Sequence, residues 1–130
     1  MKTTKLFLVL SALFLFFNGC KNPSFKNDAE IKFLAQEIDF GKLKVGEVKN
    51  CTFEFDNPGK SHLIIKAVKP SCGCTNPIWP DKPIKPGENG KIGVKYVAND
   101  DGVFIQYITV IYNGYNSPVT LIIKGEVQSL

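Results

Sequence analysis

Cys72-Gly73-Cys74-Thr75 is the segment of this chain that carries the most chemistry. Two thiols stand one glycine apart, and three uses are open to them. The first is a local disulfide. Its ring would close over a single residue, so the bond would be comparatively easy to reduce and suited to thiol–disulfide exchange. Cys-x-x-Cys redox enzymes lower a thiol pKa with a helix N-terminus, and no helix is signalled here. The second is a metal site, because soft thiolates select Cu(I) or zinc. A structural zinc site needs four ligands. Beyond the loop the chain offers only Cys51 and the single histidine, His62, because Cys20 is committed elsewhere. If a strand separates His62 from Cys72, its length at ~3.3 Å per residue puts them up to roughly 30 Å apart. His62 then reads as a solvated turn residue, and a two-thiolate copper site is what remains. The third use is structural. Cys51 shares its strand face with Phe53 and Phe55 and reads as a small core residue, or as a partner that staples the loop.

The fourth cysteine has a different fate. Met1–Lys5 is a short basic head, Leu6–Phe17 is apolar apart from Ser11, and Asn18-Gly19-Cys20 follows. This is signal-peptide anatomy, and a small residue directly before cysteine marks a bacterial lipoprotein signal. The twelve-residue run spans roughly 18 Å as a helix, short of the ~30 Å hydrocarbon core. The sequence therefore predicts a signal peptide over 1–19, a lipidated Cys20 opening a polar tether over 20–30, and one domain over 31–130. The expected location is the bacterial cell envelope, facing the periplasm, with the membrane contacted through lipid on Cys20.

Charge excludes one partner class. All sixteen basic residues are lysine, and loss of Lys2 and Lys5 with the signal lowers the net charge from +4 to +2. Reading of bases and phosphates leans on arginine forks, so no nucleic-acid partner is expected. Catalytic constellations are equally thin. Asp39-Phe40-Gly41 matches a kinase tripeptide without its companion motifs and reads as a strand end with a glycine turn. Gly87–Lys91 has the wrong spacing for a phosphate loop. Asn99–Gly102 lacks a calcium-loop pattern. One histidine and no Gly-x-Ser-x-Gly elbow exclude a hydrolase triad.

The elements that must position the thiols have period two rather than 3.6. Cys51–Asp56 and Ile92–Tyr96 alternate. Ile31–Leu34, Leu63–Val68, Val103–Tyr112 and Val119–Val127 are rich in β-branched and aromatic residues. Glycine, proline and asparagine punctuate at Phe40-Gly41, Val45-Gly46, Asn57-Pro58-Gly59, Pro86–Gly90, Asp101-Gly102 and Asn113-Gly114. The pattern predicts an all-β, immunoglobulin-like sandwich of about seven strands, with a barrel as the alternative. A hairpin turn over Asn57–Ser61 would set Cys51 opposite about Val68. Trp79 lies in a proline-rich segment and reads as a lid on the core or an anchor for a partner.

Residues 31–127 resemble the bacterial family known as domain of unknown function 1573. The resemblance is carried by Asp39-Phe40-Gly41, Gly46, Phe53-x-Phe55-x-Asn57-x-Gly59, Leu63-x-Ile65, Ser71-Cys72-Gly73-Cys74-Thr75, Trp79-Pro80, Ile84-x-Pro86-Gly87 and Gly125. It implies an immunoglobulin-like module, often exported and related to domains of cilium-associated proteins, with no established activity. The resulting expectation is a lipid-anchored, non-enzymatic envelope module that binds a protein or envelope component, with Thr75 and Trp79 as candidate contacts and no cofactor. The alternative is a thiol redox or copper-handling protein using Cys72 and Cys74.

Overall fold

The computed structural model describes residues 28–129. The signal peptide expected over 1–19 and the expected lipidation at Cys20 fall outside the described residues. Eight strands follow one another: β1 (Lys32–Phe33), β2 (Glu37–Lys44), β3 (Val48–Asp56), β4 (Ile65–Pro70), β5 (Thr75–Ile78), β6 (Asn89–Val97), β7 (Gly102–Tyr112) and β8 (Val119–Gln128). They form two four-stranded sheets, ordered β1-β3-β6-β5 and β2-β8-β7-β4. All pairings are antiparallel except β2 with β8, which run parallel.

Alternation explains the sandwich. Phe53 and Phe55 of β3 point inward, as do Ile92, Val94 and Tyr96 of β6. Ile108, Val110 and Tyr112 of β7 and Leu121, Ile123 and Val127 of β8 close on them from the other sheet. Each fully buried side chain of this size contributes about 1.5–3 kcal/mol over leaving it in water. Near the end of the sandwich where β6 finishes, Phe40, Tyr96 and Phe104 fill the space between sheets. The Tyr96 and Phe104 rings stack with centroids 4.3 Å apart, and Phe40 lies 6.0 Å from Tyr96.

Three expectations need correction. Asp39-Phe40-Gly41 does not end a strand; β2 runs through it with a register shift between Asp39 and Lys42. Gly41 takes φ +66° there, and its N–H donates to the Asp39 carboxylate at 2.8 Å. The proline-rich segment also holds a strand, β5, which raises the count to eight. Pro77 is tolerated because β5 is an edge strand, where a missing N–H can face solvent. Finally, Asn57–Ser61 is a crossover between sheets rather than a hairpin turn. β3 pairs with β6, so Cys51 sits opposite Val94 instead of Val68, and β4 belongs to the other sheet.

The physical reason for the crossover is Asn57, a polar residue with no exposed surface. Its Oδ1 accepts from the N–H groups of Gly59 at 3.1 Å and Glu30 at 3.4 Å. Its Nδ2 donates to the carbonyls of Ser61 at 2.9 Å and Ile84 at 3.0 Å. Both donors and both acceptor positions of the carboxamide are thus used. Its main-chain N–H and C=O bond Glu88 and Gly87. One residue thereby ties three backbone segments together. Ala29 is also fully buried, and Asp28 O accepts from Lys60 N–H. The folded part therefore reaches back into 28–30, the last residues assigned to the tether.

Replacing Asn57 tests this arrangement. Asn57→Ala leaves buried carbonyls and N–H groups unpaired, each costing about 1–3 kcal/mol, so urea unfolding should show a total loss of at least about 3 kcal/mol. Asn57→Asp should cost more at neutral pH, because a carboxylate would face two carbonyls. Burial would raise the folded-state pKa of that new carboxyl above its unfolded value. Its penalty should therefore be smallest below about pH 4 and grow as pH rises through the unfolded value.

Candidate functional site

The Cys-Gly-Cys loop is the β4–β5 crossover between sheets, at the opposite end from Asn57. The chain leaves one sheet at Pro70, paired with Ile108, and enters the other at Thr75, paired with Tyr96. Both flanks are fixed. Ser71 N–H donates to Tyr107 O at 2.8 Å. Ser71 Oγ contacts Gln106 Oε1 at 2.7 Å and accepts from Tyr107 N–H at 3.0 Å. On the far side Val97 N–H donates to Cys74 O at 3.0 Å, and Thr75 N–H turns back to Cys72 O at 3.3 Å.

Within this frame Cys72 and Cys74 form a disulfide with Cα atoms 5.3 Å apart. Cys74 N–H donates to Cys72 Sγ at 3.1 Å. Thr75 Oγ1 lies 3.7 Å from Cys72 Sγ and 3.8 Å from Cys74 Sγ. Thr75 keeps only 2% of its surface exposed, which corrects its reading as a partner contact: its hydroxyl serves the sulfurs from beneath. A cross-link between residues two apart removes little chain entropy, about 1–2 kcal/mol. The flanking backbone bonds hold the loop independently of it.

Both cysteines, together with Tyr96, Phe104, Asp100 and Asp101, line a cleft of about 350 Å³. The Asp100 carboxylate also marks the electrostatics of this end: burial pushes the Tyr96 phenol above its usual pKa, and Asp100 adds to the shift. The loop carrying the aspartates is anchored through Ala98, whose N–H donates to Glu47 O and whose carbonyl accepts from Gly46 N–H. Sequence patterning marks Asn99–Gly102 only as a turn. Its position across from the disulfide depends on the β5–β6 pairing, which alternation alone does not reveal.

The other candidate residues stay apart from this site. Cys51 is a free thiol packed against the core, so it does not staple the loop. Burial pushes its pKa up to about 11. His62 is exposed, and its backbone carbonyl accepts from Asn113 Nδ2 at 2.9 Å. Among the described residues no group of three or more His, Cys, Asp or Glu is placed to hold a metal ion. Trp79 follows β5 with 36% of its surface exposed.

Two sheets of this topology, joined by crossovers and without a helix among the described residues, define an immunoglobulin-like β-sandwich. The chain belongs to the DUF1573 family, described as a protein of unknown function, whose model matches residues 31–127. A protein of unknown function from Porphyromonas gingivalis W83 has a similar structure, with a TM-score of 0.69 and 17% identity over 82% of this chain and 51% of that one. This chain thus spans about half the length of that relative. The PapD-like domain 7 of human CEP192 aligns with a TM-score of 0.59 and 14% identity, over 81% of this chain and 88% of that domain. The Vibrio cholerae VesB protease aligns with a TM-score of 0.57 and 15% identity, over 77% of this chain and 32% of the protease. At these identities the likenesses describe the fold. No curated protein matches the sequence.

Cys51 provides a quantitative check on the thiol environment. A pKa of about 11 against an ordinary 9.0 means about 100-fold less thiolate at neutral pH, and the thiolate is the reactive form. Alkylation of Cys51 in the folded protein at pH 7.5 should be slower than in urea by at least that factor. Alkylation at the unfolded rate would show that the thiol is not buried as described.

Proposed function

We propose that this protein is a lipid-anchored module of the cell envelope that presents its disulfide end to a partner polypeptide. The observation that carries the reading is the separation of two ends of one sandwich. The described chain begins beside Lys60 and Asn57. The disulfide loop pairs with the far end of β6. Nine residues of β6 lie between these ends, a length of roughly 25–30 Å. A tether running from lipid on Cys20 would hold the Cys72–Cys74 cleft away from the bilayer, where a soluble partner or a second envelope component can reach it.

The surface next to the cleft supports a binding role. Val103 lines the cleft and begins an outward row on β7 with Ile105 and Tyr107, all three exposed. An apolar row that starts at a cleft is the kind of surface that partners cover.

Two variants test the reading in cells. Cys20→Ala should move the protein from the membrane fraction to the soluble fraction and abolish labelling by a palmitate analogue. A photo-crosslinking residue at Asn99, at the disulfide end, should capture a defined adduct, while the same residue at Lys60 should not. Adducts from Lys60 alone would reverse the proposed orientation.

A further inference from the structure

We infer that the Cys72–Cys74 disulfide is a thiol–disulfide exchange site that accepts two electrons from a dithiol of a partner protein, with Cys74 bonding the partner and Cys72 serving as the internal thiolate. The inference goes beyond the binding role and does not depend on the lipid anchor.

The two sulfurs are not equivalent. Cys72 Sγ accepts the Cys74 N–H at 3.1 Å and also faces the Thr75 hydroxyl at 3.7 Å. A disulfide sulfur carries no proton, so the hydroxyl is the donor. Cys74 Sγ shares only that hydroxyl, at 3.8 Å. Donors aimed at a sulfur favour its thiolate, and the sulfur with the lower pKa leaves faster. Cys74 also touches the core, which hinders approach to it. Both residues line the cleft, so access exists from one side and the better leaving group decides. The local donors take the place of the helix N-terminus found in Cys-x-x-Cys enzymes. The remaining described thiol, Cys51, is held protonated by burial and does not compete.

The exchange balances in two steps. A partner thiolate attacks Cys74 Sγ, a mixed disulfide forms, and the Cys72–Cys74 bond breaks with its electron pair passing to Cys72 Sγ. The partner's second thiolate then attacks the partner sulfur of the mixed disulfide, and Cys74 leaves as a thiolate. The partner dithiol becomes a disulfide, and the protons it released end on Cys72 and Cys74. A second protein disulfide restores the pair by the same steps reversed. Asp100 and Asp101 on the cleft wall repel anionic thiols, so the fitting substrate is a cysteine flanked by lysine or arginine.

The test uses the full chain extracted from membranes in its oxidised form. Cysteamine, a cationic thiol, and glutathione, an anionic one, serve as probes, with acid quenching, alkylation and peptide mass mapping. The adduct should fall on Cys74 in at least about three-fold excess over Cys72, and cysteamine should react faster than glutathione per thiolate. Thr75→Val should slow reduction by dithiothreitol about five-fold, the effect of one lost hydrogen bond on the leaving sulfur. Adducts mainly on Cys72, or a folded Thr75→Val protein reduced at the wild-type rate, would overturn the assignment. If Thr75→Val does not fold, the adduct map of the wild-type protein decides alone. Crosslinks from Asn99 without any thiol exchange would leave the binding role standing and remove this one.

Discussion

The buried carboxamide of Asn57 is the contact on which this architecture turns. A hairpin within one sheet needs only turn chemistry, whereas a connection between the two sheets of a sandwich needs more. Here the chain crosses between sheets after β1, β2, β3, β4 and β6. A crossover leaves backbone groups at the sheet ends without ladder partners, and unpaired buried groups are costly. Asn57 meets the β3–β4 crossover with four side-chain hydrogen bonds to Glu30, Gly59, Ser61 and Ile84. It also fixes where residues 28–30 join the fold.

The β4–β5 crossover is solved differently. Ser71 and Cys74 bond to β7 and β6 through main chain and hydroxyl, so the Cys72–Cys74 disulfide is surplus to holding the loop. Its stabilising effect is small because the ring closes over one residue. What the disulfide gains is position: two sulfurs on a cleft wall, with a buried threonine hydroxyl and a backbone N–H beside them. The stacked Tyr96 and Phe104 rings beneath give that wall a rigid floor. The bond adds little to a loop whose flanks are already held by hydrogen bonds.

Much of the fold is legible in the sequence because burial imposes period two on β3, β6, β7 and β8. Phe53 and Phe55, or Ile108 and Val110, announce their faces directly. β5 is hidden because Asn76 and Pro77 are poor strand formers, and only pairing with β6 makes Thr75–Ile78 extended. β2 is hidden by Gly41 at its bulge. The assumed hairpin at Asn57 fails because a turn-forming sequence, Asn-Pro-Gly, serves equally well in a crossover. The two thiols of the site are visible from their spacing, but the role of Thr75 is not. A threonine after cysteine reads as an available surface hydroxyl until the sheet pairing buries it. Asp100 and Asp101 join the site only through tertiary placement across the cleft.

The central claim is that a working disulfide sits on a fold that does not require it. A brief dithiothreitol pulse on intact cells, followed by washout, tests it most directly. Cys72 and Cys74 would be scored by differential alkylation and the domain by limited proteolysis at each time. The account predicts that the pair is reduced during the pulse and reoxidised after it, while the domain stays protease-resistant throughout. A pair that stays oxidised under the pulse, or a domain that becomes protease-sensitive on reduction, would show that the disulfide is structural and contradict the account.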